Sequence, residues 1–287
     1  MPELTDLRVI RSLANKYQFS FSKGLGQNFI IDSEVCPAIA EYGIADTASG
    51  VLEIGTGFGV LTKELCRRAK TVTAVELDKR LEPVLQETLG EFDNLRVVWR
   101  DFMELNLADF LKEQFGELPV SVCANLPYYI TSPILMHLLE SDVTLQSITV
   151  MVQKEAAERL TAKIGTRAAG AVTAAVQLRG EAELLMHVPR ESFYPAPKVD
   201  SAVIRITPYA EPVCAPETLK HVLAIVKAGF AQRRKTALNA LSAGLDLPKE
   251  TVAAAIAAIG QPETVRFEQL DMDALLQLEK QLREVES

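Results

Sequence analysis

Val51-Leu52-Glu53-Ile54-Gly55-Thr56-Gly57-Phe58-Gly59 is a short apolar run that breaks into three alternating glycines. It reads as a strand opening into a glycine loop, and residues 60–68 then resume with helical apolar spacing. Strand, glycine loop and helix together begin an open α/β sheet, whose ligands bind beyond the carboxyl ends of the strands.

The spacing narrows the ligand. A dinucleotide fingerprint is Gly-x-Gly-x-x-Gly, so hydride chemistry on NAD is disfavoured. Glycines at 55 and 57 let the backbone approach a ligand, and the helix that follows offers N–H groups. Glu53 would repel a pyrophosphate but suits a zwitterion or a sulfonium cation. That combination points to S-adenosylmethionine, with Glu53, Gly55 and Gly57 as candidate contacts.

Further strands bring more polar residues to the same edge. Residues 71–75 read as a strand ending in Glu76, roughly 20 residues after the glycine loop, where a carboxylate can accept both ribose hydroxyls. The plainer alternative, that Glu76 only begins the helix at Asp78, is the less favoured one after such a loop. Residues 95–100 lead to Asp101-Phe102, an acid able to accept from an adenine amine. The apolar run 120–124 delivers Asn125-Leu126-Pro127-Tyr128. Pro127 cannot donate to a sheet ladder and biases Leu126 toward an extended backbone, so the strand opens there. The Asn125 side chain and the Leu126 carbonyl can accept from one exocyclic amine, while Tyr128 offers a face to a flat base. Such a site grips an aminopurine, although a plain proline turn between strand and helix has the same residues.

Two other segments touch this chemistry. Lys23-Gly24-Leu25-Gly26-Gln27-Asn28-Phe29 reads as a loop with close backbone approach, preceded by a helix or arm carrying Arg8, Arg11 and Lys16. The loop Pro189-Arg190-Glu191-Ser192-Phe193-Tyr194-Pro195-Ala196-Pro197-Lys198-Val199-Asp200-Ser201 is stiffened by proline, so Phe193 is either held out as a stacking plate or packed in the core.

Composition sets the outer bounds. The 287 residues suffice for two domains, with 48% hydrophobic and 24% charged residues, and no apolar run approaches the ~20 residues needed to cross a bilayer. No secretory signal is visible in residues 1–11. Cys36, Cys66, Cys123 and Cys214 are scattered, which argues against a zinc site or disulfide framework and fits a reducing cytoplasm. His137, His187 and His221 lack ligand spacing and read as packing or surface residues.

Net charge −8 is awkward for nucleic-acid binding, which relies on Lys and Arg neutralising phosphates. The charge is segregated, however. Residues 218–245 contain no acid but carry Lys220, Lys227, Arg233, Arg234 and Lys235, while Asp271, Asp273, Glu279, Glu284 and Glu286 crowd the end. The basic set is the candidate RNA-binding surface, with loop-forming Gly229 ahead of it and the acidic helices facing solvent. The expected division is a catalytic domain over 1–209 and a helical RNA-binding or ribosome-binding domain over 210–287. Helices are expected over 218–230, 234–243, 248–259 and 272–285, with Gly244 and Gly260 as stops.

Gly26-Gln27-Asn28-Phe29, the Glu53–Gly59 stretch, Glu76-Leu77-Asp78, Asp101, Asn125-Leu126-Pro127-Tyr128, Gln153-Lys154-Glu155, the 193–201 stretch and Phe230-Ala231-Gln232-Arg233-Arg234-Lys235 together resemble the small-subunit ribosomal RNA adenine dimethyltransferases, the kasugamycin-sensitivity methylases. The resemblance covers nearly the whole chain. It implies a Rossmann-like S-adenosylmethionine-dependent methyltransferase domain with a smaller all-helical C-terminal domain. It also implies N6,N6-dimethylation of two adjacent adenosines in the 3′-terminal hairpin loop of 16S rRNA, late in 30S subunit assembly, by a cytoplasmic monomer without metal. Asn28, Ile30, Gly55, Glu76, Asp101 and Asn125 map onto the family's cofactor contacts. The chain departs from the family at Thr56, where proline is frequent, a change expected to be neutral. It departs again at Ala169-Gly170, where a Tyr-Gly pair is usual; that loses a ring from local packing or from RNA contact.

Two alternatives share the scaffold. A 23S rRNA adenine methylase of the macrolide-resistance type has a similar tetrapeptide, but such proteins tend to be basic. A non-catalytic rRNA-binding assembly factor would not need an intact Gly-x-Gly-x-Gly and Asn-Leu-Pro-Tyr.

Overall fold

The computed structural model describes residues 3–20, 27–44 and 46–286, so the Lys23–Gly26 part of the expected loop lies outside the described residues. The chain divides into two compact units, Met1–Ala157 with Glu183–Pro208, and Glu158–Ala182 with Tyr209–Ser287. Residues 158–182, which the sequence places in the catalytic domain, therefore go with the C-terminal helices. The cause is apolar: Val172, Val176 and Leu178 of the Ala171–Arg179 helix are buried, and this helix packs on the Pro216–Ala231 helix. Gln177 adds a hydrogen bond to the Ala162 carbonyl at 2.7 Å. Ala169 is fully buried, so the position where the family carries an aromatic belongs to packing.

The strands, in chain order, are β1 (Phe29–Ile30), β2 (Gly50–Ile54), β3 (Thr71–Glu76), β4 (Leu95–Trp99), β5 (Val120–Asn125), β6 (Ser147–Gln153), β7 (Gly180–Val188), β8 (Phe193–Tyr194) and β9 (Ser201–Pro208). Seven of them form one sheet in the order β4-β3-β2-β5-β6-β9-β7. Neighbours from β4 through β6 are parallel, and β9 runs antiparallel to β6. β2 is buried at every position, as a central strand covered on both faces must be. A second, two-stranded sheet pairs Phe29 with Tyr194 and Ile30 with Phe193. That pairing joins two segments which the sequence reads only as loops.

The sheet's covering layers are apolar. One cluster packs Cys36, Ile39 and Ala40 with Leu61, Leu65 and Cys66 against Val51, Val72, Cys123 and Met151. Another seats the Leu7–Lys16 helix, through Ile10, Leu13 and Ala14, on Phe29, Phe58 and Leu81. Asp6 caps that helix by accepting from the Arg8 N–H at 2.8 Å.

The helical unit comprises the helices Pro216–Ala231, Ala237–Leu245, Lys249–Ala258 and Met272–Glu286 with the Ala171–Arg179 helix. Gly229 forms no loop: it sits inside the first of these, and a Cβ there would lie 2.2 Å from the Phe267 ring. Gly244 is no stop either, since it lies inside its helix with Ala228 packed 2.5 Å from where its Cβ would be. Gly260 does end its helix, at φ +73°. Arg234 lies in a turn, and the next helix begins three residues later with Thr236 as its cap. Among the described residues no helix is long and apolar enough to cross a membrane.

Candidate active site

From β2 the chain winds to β3 and β4 on one side, then returns to β5 and β6 on the other. The direction of winding reverses between β2 and β5, and at that reversal the loops leaving the two strands part to leave a crevice. A cleft lies there. It is lined by Gln27 to Ile30, the Gly55–Phe58 loop, Glu76, Asp101 and the Asn125–Ile130 turn, all within the first unit. Of the expected cofactor contacts it gathers Asn28, Ile30, Gly55, Gly57, Glu76, Asp101 and Asn125.

The glycine loop makes a tight passage. Gly55 and Gly57 have φ of +78° and +54°, a region that suits glycine. The Phe29 ring closes over Gly57, 3.3 Å from where a Cβ would stand, and stacks at a tilt on Phe58 with centroids 4.4 Å apart. Gln27 donates to Asp78 at 3.0 Å. Arg80, ahead of Gln27, holds the Asp78 carboxyl below its usual range.

Glu76 is buried at the end of β3. Its Oε2 accepts the Thr56 backbone N–H at 2.8 Å and the Thr56 hydroxyl at 3.0 Å, and Oε1 accepts the Asp78 N–H at 2.8 Å. A proline at 56 could make neither Thr56 bond, so the exchange expected to be neutral changes the site. Asp101 uses Oδ1 for the Met103 N–H at 2.9 Å, which leaves Oδ2 without a partner among the described residues.

Asn125 ends β5 with its side chain in the cleft and no hydrogen bond to another described residue. The turn after it is stiff. The Pro127 carbonyl accepts from the Ile130 N–H at 3.2 Å and from the Thr131 hydroxyl at 3.1 Å. Tyr128 is half-buried, with its hydroxyl 2.6 Å from Ser201 Oγ; burial pushes its pKa up and the Ser201 bond opposes the shift.

Two expected site residues are elsewhere. Along β2 side chains alternate, so Ile54 faces the cleft and Glu53 does not. Glu53 is fully buried on the layer of Cys36, Cys66 and Cys123, paired in register with Cys123, and neither of its carboxyl oxygens makes a hydrogen bond. Burial raises its pKa to about 8; the Thr62 hydroxyl opposes this and Glu76 adds to it. Buried in that layer and absent from the cleft lining, Glu53 does not face a ligand there. Phe193 is 2% exposed and belongs to the same core cluster, because its pairing with Ile30 turns the ring inward. It is a core residue and not a stacking plate.

The cleft also contains residues the motifs did not single out. Tyr129, 57% exposed, stands on its rim with Leu77 and Arg100. Exposure beside a functional turn has no signature in sequence, and the doubled tyrosine was the only signal.

In the helical unit, Lys220 and Lys227 are exposed two turns apart on one helix face, and Arg234 and Lys235 are exposed in the turn that follows. Arg233 is already engaged. It pairs with Glu268 at 2.9 Å, donates to the Arg167 carbonyl at 2.8 Å and lies over the Phe230 ring. Glu279, expected to face solvent, is buried and accepts from Arg283 at 2.8 Å, with His221 3.3 Å away. Asp271, Asp273 and Glu284 are exposed.

Residues 18–282 match the model of the family described as ribosomal RNA adenine dimethylase. A relative from Bacillus licheniformis, named ribosomal RNA small subunit methyltransferase A, is 43% identical over 96% of both chains. Its namesake from Geobacillus thermodenitrificans is 44% identical over 91% of both. Among solved structures, the 23S rRNA methyltransferase ErmE is similar with a TM-score of 0.65 and 30% identity, covering 89% of this chain and all of that one. A dimethyladenosine transferase from Plasmodium falciparum follows with a TM-score of 0.66 and 25% identity, covering 87% of this chain and 95% of that one.

Proposed function

Because the chain belongs to the ribosomal RNA adenine dimethylase family, we propose that it dimethylates the N6 amines of two adjacent adenosines in the 3′-terminal hairpin loop of 16S rRNA. It would do so in the cytoplasm, as a monomer, on the 30S subunit or its precursor late in assembly. What carries the reading is the convergence of the ends of β3, β4 and β5, which bring Glu76, Asp101 and the unpaired Asn125 amide into one cleft beside a glycine loop.

The donor set fits S-adenosylmethionine. Glu76 supplies carboxylate oxygens for the ribose hydroxyls, Asp101 Oδ2 is an open acceptor for the adenine amine, and the Gly55–Gly57 backbone with Asn28 and Ile30 walls the remainder. When bound, the cofactor supplies an electrophilic methyl group.

The chain's own residues handle the target base. The Asn125 side chain and the Leu126 carbonyl accept the N6 hydrogens, which favours a tetrahedral nitrogen and frees its lone pair to attack. Tyr128 offers a ring fixed by Ser201, and exposed Tyr129 offers a second face, to an adenine that must leave its neighbours in the loop. Among the described residues no cysteine lines the cleft, and burial pushes the thiols of Cys36, Cys66 and Cys123 up, to about 12 for Cys66. Lys220, Lys227, Arg234 and Lys235 track phosphates and position the particle without reading sequence.

Methyl incorporation into unmethylated 30S particles, with primer extension to locate the product, tests the proposal. Asn125→Ala should cost turnover about 10²-fold or more while S-adenosylhomocysteine binding changes less. Incorporation into protein-free 23S RNA instead of 30S particles would move the chain to the macrolide-resistance activity. Asn125→Ala at full turnover would remove Asn125 from the chemistry.

A further inference from the structure

Glu76 must offer a ribose two acceptor positions, and the bonds it already makes account for them unevenly. A carboxylate has about four lone-pair sites. The Asp78 N–H takes one on Oε1 at 2.8 Å, and the Thr56 N–H takes one on Oε2 at 2.8 Å. These two backbone donors fix the carboxylate plane and leave one site per oxygen, which is what a pair of vicinal hydroxyls requires. The remaining site on Oε2 is taken by the Thr56 hydroxyl at 3.0 Å.

That hydroxyl has one proton and a second acceptor within reach. The Gly57 carbonyl lies 3.3 Å from Thr56 Oγ1, so a rotation of the O–H transfers the bond without moving the side chain. Both Thr56 and Glu76 are buried and both line the cleft. An acceptor on a buried carboxylate costs free energy when unfilled, and a hydroxyl beside it fills the position cheaply.

We propose that the Thr56 hydroxyl is a displaceable donor: it occupies the Glu76 Oε2 position that a ribose hydroxyl takes on binding, then turns to the Gly57 carbonyl. Thr56 is thus a positioning residue twice over, through a fixed N–H and a movable O–H. The proposal rests on the reading of Glu76 as the ribose acceptor. Its consequence is that affinity for the ribose is set partly by the release of Thr56.

The test is calorimetric. S-adenosylhomocysteine and its 2′-deoxy and 3′-deoxy counterparts are titrated into wild type, Thr56→Val and Thr56→Ser. Valine keeps the N–H and the branched shape but has no donor to release. S-adenosylhomocysteine should bind Thr56→Val more tightly, by about two- to fivefold, because valine leaves the Oε2 position unfilled until the ribose hydroxyl arrives. The deoxy analogue lacking the Oε2 partner should show no gain, and Thr56→Ser should match wild type. Melting of each free and saturated protein checks folding. With folding intact, weaker binding to Thr56→Val, equal binding, or an equal gain for all three ligands overturns the inference and leaves the cofactor assignment in place. A wild type that binds no S-adenosylhomocysteine overturns both.

Discussion

Tyr128 and Ser201, 73 residues apart in sequence, meet through hydroxyl oxygens 2.6 Å apart. Ser201 is fully buried and pairs in register with Gln153 of β6, so Tyr128 is anchored to the sheet itself. Ser201→Ala should free the ring and lower single-turnover methyl transfer by about 2- to 10-fold, the range of one net hydrogen bond. S-adenosylhomocysteine affinity should hold. Tyr128→Phe should do the same, and the double variant should be no worse than either single one, because both remove one interaction. Additive losses would show that the hydroxyls do not act through each other.

Exposure separates Phe193 from Tyr129. Phe193→Leu keeps a buried apolar group of similar volume, so it should cost stability by ~1 kcal/mol and leave turnover unchanged. Tyr129→Leu should leave melting unchanged and weaken use of the RNA by the ~1–3 kcal/mol of one stacked base. Measured melting temperatures and kcat/KM on 30S particles decide it. If Phe193→Leu loses turnover at unchanged stability while Tyr129→Leu does not, the two roles are exchanged.

Much of the site was legible because strand ends and glycines carry local signals. Gly55 follows buried β2, Glu76 and Asn125 end the buried strands β3 and β5, Asp101 lies two residues past the half-buried β4, and a parallel sheet brings such ends to one edge. The misreadings have one origin, which is the side a residue faces. Glu53 lies two residues from Gly55, but strand alternation puts it in the apolar layer with Cys123. Phe193 turns inward because it pairs with Ile30, a contact spanning most of the chain. Gly229 and Gly244 look like breakers but are helix positions where Phe267 and Ala228 need the room. Propensity describes the residue, and packing chooses between its uses.

Glu53 makes folding depend on pH in a known direction. Its folded pKa of about 8 lies above the ordinary 4.5, so between those values the folded chain holds a proton that the unfolded chain has released. Stability therefore falls as pH rises through that window, by several kcal/mol at most. Glu53→Gln resembles the protonated side chain and cannot ionise. Denaturant unfolding of both proteins at pH 5, 7 and 9 should show the variant gaining on wild type as pH rises. A constant difference would mean that Glu53 titrates normally.

The helical unit separates a cation held within the fold from cations exposed to solvent. Arg233 is tied to Glu268, to the Arg167 carbonyl and to the Phe230 ring, whereas Arg234 and Lys235 are exposed in the turn beyond it. Each phosphate contact contributes about 0.7 to 0.9 to the salt slope of binding. Changing Arg234 and Lys235 together to Gln should flatten the slope for 30S particles by about 1.4 to 1.8 if both touch phosphate, with S-adenosylhomocysteine binding unchanged. Arg233→Gln should instead lower the melting temperature and leave the slope nearly as it was. The N-terminal cations have weak surface partners, Arg8 with Asp6, Lys16 with Glu87 and Arg11 over the Tyr194 ring, and Arg8 and Lys16 stay exposed. An unaltered slope in the Arg234 and Lys235 variant would assign the particle contact elsewhere, and the same salt series on Lys220→Gln with Lys227→Gln would show whether it lies along the Pro216–Ala231 helix.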